Sequence, residues 1–128
     1  MQNNIFGEPL ELCGLDPVTG YFRDGFTTTD ESDFGSHTVC AVVSAEFLAH
    51  QKSVGNDLST PAPQFGFAGL KPGDRWAVCA PRWQQALEDG AACGVVLAAT
   101  NEAALEYINA QDLMAHSVDV PPDLSELT

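Results

Sequence analysis

Residues 56–74 constrain the fold of this chain more than any other stretch. The segment carries three prolines and three glycines, namely Pro61, Pro63, Pro72, Gly66, Gly69 and Gly73. Proline is excluded from helix interiors and from central strands, and glycine weakens both structures. The segment is therefore predicted to be a long irregular loop, a kind of segment that in compact domains commonly carries function or packs on itself. Phe65, Phe67 and Leu70 are expected to attach it to the core.

The string GNDLSTP, residues 55–61, leads into this loop with four side chains that can form hydrogen bonds, namely Asn56, Asp57, Ser59 and Thr60. Two interpretations are open. In the first, Asp57 bonds the backbone and hydroxyl groups of its own turn, which explains almost every residue type in the string. In the second, Asp57 faces Arg75 or His37 across a cleft and serves as an orienting carboxylate or a general base. We predict the second arrangement, with residues 56–60 at the border of a pocket.

Short apolar runs on either side of the loop predict strands that alternate with helices. HTVCAVV indicates a strand over residues 37–43, and Ser44 is a typical N-cap for a helix over residues 45–54. RWAVCA indicates a buried strand over residues 75–80. The proline that follows suits the first turn of a helix over residues 81–89, which a glycine then ends.

The two ends of the chain complete the predicted fold. LELCGLDPVTGYFRDGF predicts an N-terminal hairpin, because DPVTG supplies turn residues between two strand-like runs. TTTDESDFGS, residues 27–36, is predicted to be an exposed loop. GVVLAAT predicts a strand over residues 94–100, Thr100 is expected to cap a helix in NEAALEYI, and Asn109 a last short helix. The sum is an α+β domain with about five strands and about three to four helices, a mixed α/β arrangement being the alternative.

The length of the chain indicates one domain. At 128 residues, a single core can bury roughly two-thirds of the unfolded surface. We predict a single globular domain over residues 1–120. The final string PPDLSELT, residues 121–128, is predicted to be a frayed C-terminal tail.

An excess of acidic residues limits the partners. Eighteen acidic residues stand against five basic ones, giving a net charge of -13. Such a field repels phosphate backbones and anionic lipids, so neither nucleic acid nor a membrane is a predicted partner. MQNNIFGEPL lacks the basic and apolar regions of a secretory signal, which predicts a cytoplasmic location. The dispersed acids also fit a halophile-like adaptation to a salt-rich cytosol, an ordinary acidic protein being the alternative.

The four cysteines, Cys13, Cys40, Cys79 and Cys93, show neither a C-x-x-C motif nor zinc-type spacing. In a cytosolic chain of this size, buried reduced thiols are the default, so we predict no disulfide framework. His37 with Cys13, Cys40 and Cys79 would supply four zinc ligands if the strands adjoin, but nothing in the spacing requires it. No metal and no cofactor are predicted.

Candidate catalytic chemistry centres on His37 and Cys40. A spacing of three residues sends their side chains to opposite faces of a regular strand, which prevents a thiolate–imidazole pair. If His37 still lies in the loop, the pair becomes accessible. The alternative is a histidine that closes the loop by bonding the backbone and a cysteine packed as a small apolar residue.

Three arginines are the candidates for binding an anion. Arg23, Arg75 and Arg82 remain in a chain with few cations, and a guanidinium group holds a carboxylate or phosphate with two parallel hydrogen bonds. The alternative is structural: Arg23 pairs with the neighbouring Asp24, and Arg75 with the neighbouring Asp74, in networks that fix loops. Together with Asn56 and Asp57, the arginines form the predicted ligand-binding set.

Five strings of the chain resemble a known family: LELCGLDPVTGYFRDG, GSHTVCAVVSAEFL, GNDLSTP, FGFAGLKPGDRW and CAPRWQQAL. Over residues 5–119 they are similar to the bacterial family catalogued as domain of unknown function 2237, which implies no established activity. The family pattern commonly has a cysteine pair after the RDG turn and a further cysteine at or beside residues 77–79. This chain has Phe26, Thr27 and Ala77 instead, so no thiol or metal mechanism is predicted at those positions.

The sequence thus predicts a small soluble binding domain for a polar or anionic small molecule or for a protein partner. The alternative is a small enzyme that uses His37 and Asp57 as an acid–base pair, or Cys40 as a nucleophile. The oligomeric state and the identity of the ligand stay open.

Overall fold

An antiparallel three-stranded sheet forms the centre of the fold in the computed structural model, which describes residues 2–119. Its strands are β1 (His37–Val42), β2 (Arg75–Cys79) and β3 (Gly94–Val95), in the order β2-β1-β3. β1 lies in the middle, and its four central residues are buried. Its threonine, valine and alanine side chains fit such a buried, pleated position.

Three α-helices pack around the sheet: α1 (Ala45–Ser53), α2 (Ala80–Glu88) and α3 (Ala110–Ala115). Ser44 caps α1 as predicted, because its Oγ accepts a hydrogen bond from the backbone N of Phe47 at 3.1 Å. α2 begins directly after β2, and its early proline is tolerated because the first turn lacks internal N–H partners. Short 3-10 helices lie at Pro63–Phe65, Leu97–Ala99 and Glu102–Glu106.

The prediction of about five strands is wrong, since residues 2–119 form three. Of the predicted strand over residues 94–100, only Gly94–Val95 forms a strand. Beyond that point, the N–H groups of Leu97 and Ala98 donate to the carboxylate of Asp119 at 2.8 and 3.0 Å, and the backbone turns into a 3-10 helix. The carboxylate of Asp119, distant in sequence, therefore accepts the backbone hydrogen bonds that a neighbouring strand would otherwise accept.

The cap expected at Thr100 is also displaced. The 3-10 helix at Glu102–Glu106 is capped by Asn101, whose side chain accepts from the backbone N of Ala103. Thr100 instead bonds β1, because its Oγ1 accepts from the backbone N of Cys40 at 3.1 Å. The hydroxyl group thus joins two elements rather than starting a helix.

The predicted N-terminal hairpin is also absent. Residues 10–26 contain no strand, and the β-bridge within this segment is an isolated one between Leu15 and Val18. Instead, the backbone N of Cys13 donates to the carbonyl of Gly25 at 2.7 Å. The Oγ1 of Thr19 accepts from the backbone N of Ala77 at 2.7 Å, which covers the outer edge of β2. The segment is held by single long-range bonds, which a local turn signature does not reveal.

A disulfide between Cys13 and Cys40 joins this N-terminal segment to the central strand. The Cα atoms of the two residues are 5.7 Å apart, and both side chains are buried. The prediction of four reduced thiols is therefore wrong, and Cys79 and Cys93 are the two free cysteines. Spacing along the sequence gave no sign of the bridge, because it depends on how the irregular segment folds back on β1.

The main core lies between the sheet and the helices, and its largest fully buried side chains include Trp83, Phe47, Leu97 and Leu113. The indole N–H of Trp83 donates to the carbonyl of Cys93 at 3.2 Å, so the polar atom of this buried ring is satisfied. In the long loop, Leu70 is buried and Phe67 packs against the core as expected, but Phe65 is 82% exposed. The expectation for Phe65 is wrong.

None of the helices within residues 2–119 is long and apolar enough to cross a membrane. The predicted C-terminal tail, residues 121–128, lies outside the described residues.

Candidate functional site

A cysteine, a histidine and an aspartate form a connected chain of contacts at one end of the sheet. The Sγ atom of Cys79 lies 3.4 Å from Nε2 of His37. On the other side of the ring, Nδ1 of His37 lies 2.6 Å from Oδ1 of Asp33. This is the order of groups in which a thiol is a nucleophile, a histidine is its base and a carboxylate orients the histidine.

Strand register brings Cys79 to His37. The two residues are Cα partners across β1 and β2, and cross-strand partners place their side chains on the same face. The register is irregular between His37 and Val39, and Ser36, directly before His37, has a positive φ of 52°. The carbonyl of Ser36 accepts from the backbone N of Ala80 at 2.9 Å, which attaches the end of the loop to the start of α2. The loop, β1 and α2 thereby meet at the cysteine.

Asp33 is held in place by hydrogen bonds other than its contact with the histidine ring. Its side chain is fully buried. Oδ2 accepts from the backbone N of His37 at 2.9 Å and from the hydroxyl of Thr29 at 2.9 Å, while Oδ1 is left for the ring. The loop over residues 27–36 was predicted to be exposed, but Thr27, Asp33 and Ser36 are buried. This loop is a support for the histidine.

The electrostatics of the site favour a protonated histidine. The hydrogen bond with Cys79 raises the pKa of His37 to about 9, and the hydrogen bond with Asp33 adds to the rise. Partial burial opposes it. His37 therefore carries a positive charge at neutral pH, with Nδ1–H directed at the carboxylate and Nε2–H at the sulfur.

Access to the pair depends on Gly35. A Cβ atom at this position would lie 3.0 Å from Sγ of Cys79 and 3.1 Å from Cε1 of His37. The absence of a side chain therefore keeps the space beside the sulfur and the imidazole ring open. Tyr21 covers another side of the imidazole, with ring centroids 5.7 Å apart, and its hydroxyl donates to the carbonyl of Ser32. Cys79 itself is partly exposed.

A cleft with aromatic walls begins at His37. A cavity of about 300 Å³ is lined by Arg23, His37, Leu58, Ala62, Phe65, Phe67 and Trp76. A second cavity of about 440 Å³ shares Arg23, Phe65, Phe67 and Trp76 with the first and extends toward residues 15–18. The histidine is thus the residue that the cysteine chain and the cleft have in common.

Of the predicted site residues, Arg23 and His37 line one cavity, whereas Asp57 bonds its own turn. The carboxylate of Asp57 accepts from the backbone N and the hydroxyl of both Ser59 and Thr60, at 2.6 to 3.1 Å. These bonds hold the pKa of Asp57 well below its usual value. The carboxylate that orients His37 is Asp33, so an acid–base pair of His37 with Asp57 is not what the structure shows.

The remaining predicted ligand-binding residues lie away from the cleft lining. The side chain of Asn56 donates to Gln51 at 2.7 Å and so supports the end of α1. Arg82 reaches the carbonyl of Val54 at 3.3 Å. Arg75 is exposed on β2. Within residues 2–119, both ion pairs involve histidines, so the structural pairing considered for Arg23 and Arg75 does not form there.

The disulfide removes Cys40 from the candidate nucleophiles, because its sulfur is bonded to Cys13 and buried. The same bond removes both sulfurs from the zinc set that was considered. No group of three or more histidine, cysteine or acidic side chains that could hold a metal ion occurs among residues 2–119.

Sequence reasoning did not identify Asp33 as a candidate site residue, and it considered Cys79 only as a zinc ligand, not as a nucleophile. Cys79 was treated as part of a buried strand, although it stands directly before the Ala-Pro start of a helix, at the N-cap. A cysteine at such a position is near the positive end of the helix dipole, and this signal was available. For Asp33, the available signal was its spacing of four residues before His37.

A family model described as "Uncharacterized protein conserved in bacteria (DUF2237)" matches residues 3–117, which is nearly the whole of the described chain. No curated protein matches the sequence.

Proposed function

The chain belongs to the bacterial family DUF2237, and we propose that it is a thiol-dependent acyl hydrolase with Cys79 as the nucleophile. The observation that carries the proposal is the contact chain from Sγ of Cys79 through the His37 ring to Asp33, at 3.4 and 2.6 Å. Cys79 and His37 are the catalytic residues, and Asp33 is a positioning residue. The enzyme class considered from the sequence is retained, with a different nucleophile and a different carboxylate.

In the first half of the reaction, Sγ of Cys79 attacks the carbonyl carbon of an ester, thioester or amide and forms a C–S bond. The bond to the leaving group breaks, and the leaving group takes its electron pair and the proton from Nε2 of His37. In the second half, water attacks the thioester while His37 accepts a proton. The carboxylic acid leaves, and the thiolate–imidazolium pair is restored.

Asp33 keeps the ring in the orientation that both halves need. It accepts from Nδ1, so the other nitrogen faces the sulfur, and it also fixes the backbone N of the same histidine. Two bonds to one residue restrict both the position of the main chain and the rotation of the ring. Support of this kind is what a preorganised catalytic pair requires.

Cys93 supplies an internal control for the reactivity of Cys79. Its side chain is buried, and this burial raises the pKa of its thiol to about 12. It therefore stays neutral and inaccessible at neutral pH. The chain thus contains one thiol in a site and one in the core.

The test is acylation by p-nitrophenyl acetate, with release of nitrophenol followed by absorbance and the acetylated residue mapped by mass spectrometry. We expect a burst of nitrophenol and an acetyl group on Cys79. Cys79→Ala should abolish both, and Cys93→Ala should leave both intact. His37→Gln should slow acylation by about 10²-fold or more, the range for loss of general acid–base catalysis. Equal rates for the wild type and Cys79→Ala would rule the proposal out.

We propose separately that the protein works in a salt-rich cytoplasm. The acid excess supports it, because self-repulsion is screened at high ionic strength. The Cys13–Cys40 disulfide weighs against a strongly reducing cytoplasm. If salt adaptation holds, the melting temperature rises by several degrees from low to molar KCl, and a flat profile would contradict it.

A further inference from the structure

We infer that the cleft beside His37 binds an acyl substrate that carries a carboxylate, with Arg23 as the residue that recognises it. The inference rests on the proposed thiol chemistry and adds the substrate class. In this arrangement, the carboxylate contacts Arg23, the apolar part of the substrate lies against Trp76, and the acyl carbon points toward His37 and Cys79.

Arg23 is positioned by a backbone carbonyl and an aromatic ring. Its Nη1 donates to the carbonyl of Gly20 at 2.8 Å, and its guanidinium carbon lies 5.0 Å from the centre of the Trp76 ring. The backbone of Arg23 has a positive φ of 55°, which is uncommon for any residue other than glycine. No carboxylate within residues 2–119 forms an ion pair with it. The group is held over the ring and leaves donors for a ligand.

The charge of the protein makes this arrangement informative. The net charge is -13, so carboxylates greatly outnumber cations. An arginine that forms no ion pair with residues 2–119 and lines a cleft of such a protein provides local attraction for an anion against a repulsive background. A guanidinium group also matches a carboxylate geometrically, because two parallel N–H groups face two oxygens.

The walls of the cleft set the orientation of the ligand. Arg23 and His37 line the smaller cavity together, and Trp76 and Phe67 form apolar walls beside them. The larger cavity also includes Asp16, whose carboxylate disfavours an anion there. The carboxylate of the substrate is therefore placed in the smaller cavity, which is the part that adjoins the histidine. The larger cavity is left for an uncharged group.

Two alkylating reagents that differ only in charge test the inference. N-iodoacetyl-phenylalanine carries a carboxylate, and N-iodoacetyl-phenylalaninamide is its neutral counterpart. The rate of modification of Cys79 is measured for both by intact mass and peptide mapping, with glutathione as the reference thiol. We expect the wild type to react at least about fivefold faster with the acid, relative to glutathione, because a charge-assisted bond holds it at Arg23.

Arg23→Gln should remove the preference, so that the acid and the amide modify Cys79 at equal rates relative to glutathione. Arg75→Gln is the matched control, because it changes the net charge equally. Arg75 is exposed on β2 and is not among the residues that line either cavity. Arg75→Gln should keep the preference. Arg23→Lys retains the charge without the planar fork and should show a reduced preference.

Equilibrium binding gives a second measurement that does not need a reactive thiol. N-acetyl-phenylalanine should quench the fluorescence of Trp76 at lower concentration than its amide, and Arg23→Gln should remove the difference. Equal rates and equal binding for the acid and the amide in the wild type would overturn the inference. So would a preference that survives in Arg23→Gln. If the acid binds selectively but neither reagent modifies Cys79 faster than glutathione, the proposed function fails and the binding site stands.

Discussion

Two irregular loops each present an aspartate that accepts several hydrogen bonds, and they use it differently. In the first loop, residues 27–36, Asp33 is buried and directs its oxygens at His37 and Thr29. In the second loop, residues 56–74, Asp57 is exposed. Its described hydrogen bonds all come from Ser59 and Thr60, which belong to its own turn. The residue type is the same, but Asp57 accepts from residues two and three positions later, whereas Asp33 accepts from residues four positions later and four positions earlier and is buried. Burial against a strand start turns a loop aspartate into part of a site.

Acylation of Cys79 separates the two aspartates most strongly. Asp33→Asn should lower the acylation rate by about 10²-fold, because the neutral amide neither fixes the orientation of the imidazolium ring nor stabilises its positive charge. Asp57→Asn should leave the rate unchanged. The pH profile of Cys79 modification provides the second readout: Asp33→Asn shifts it, whereas a purely structural loss would lower the rate at every pH. Equal effects of the two substitutions would remove the distinction between the loops.

Unfolding by urea tests the same pair for stability. Asp33→Ala should destabilise the protein by about 3 kcal/mol, because two hydrogen-bond donors of His37 and the hydroxyl of Thr29 lose a buried acceptor. Asp57→Ala should have a smaller effect, since solvent can replace the lost bonds of an exposed carboxylate. A larger loss from Asp57→Ala would contradict the assignment of Asp33 as the more deeply integrated group.

Two glycines allow each loop to be disturbed without a change in charge. Gly35→Ala should slow Cys79 modification by about tenfold while the melting temperature changes little, because the new methyl group contacts Sγ and the imidazole. Gly69→Ala should do the reverse. Its φ is 84° and the added carbon would collide with the carbonyl of Ser59, so stability falls by about 1 to 3 kcal/mol. Loss of reactivity in Gly69→Ala at full stability would contradict the comparison.

The pH dependence of stability should have opposite signs at the two loops. The pKa of His37 is raised from 6.5 to about 9, so its contribution is complete below pH 6.5 and disappears as the pH rises through 9. The pKa of Asp57 is lowered, so its contribution is complete above its unfolded value of 3.8 and is lost in acid. The stability difference between the wild type and His37→Gln should therefore shrink in alkali, and that for Asp57→Asn should shrink in acid. Chemical denaturation at pH 3, 6 and 9 measures both.

Local signals were sufficient where an element carries its own start and stop. Ser44 and the left-handed Gly55 predicted α1 closely, since a cap and a terminator act within one or two turns. The strands β1 and β2 were predicted for a similar reason, because a short apolar run is buried wherever it pairs. The run after Gly94 failed because a carboxylate from Asp119 intercepts its backbone.

The candidate site was predicted only in part, because its decisive contact joins residues 42 positions apart. His37 and Arg23 were identified from their residue types. Cys79, the partner of His37, was considered only as a zinc ligand, since strand register and a bulge decide which residue stands opposite the histidine. The same sequence with a register shifted by one residue would turn the cysteine to the other face. Composition and spacing contain no information about that choice.

The bond between Cys13 and Cys40 closes a covalent ring of the chain, and this ring contains Arg23, Asp33 and His37. Such a ring has no free ends of its own. A protease that cuts one peptide bond between residues 13 and 40 therefore produces a nicked protein whose two pieces stay joined through the sulfurs. The arginine, the aspartate and the histidine remain attached to the body that carries Cys79. On a gel without reductant, the nicked chain would keep its intact mass and would separate into fragments only after reduction.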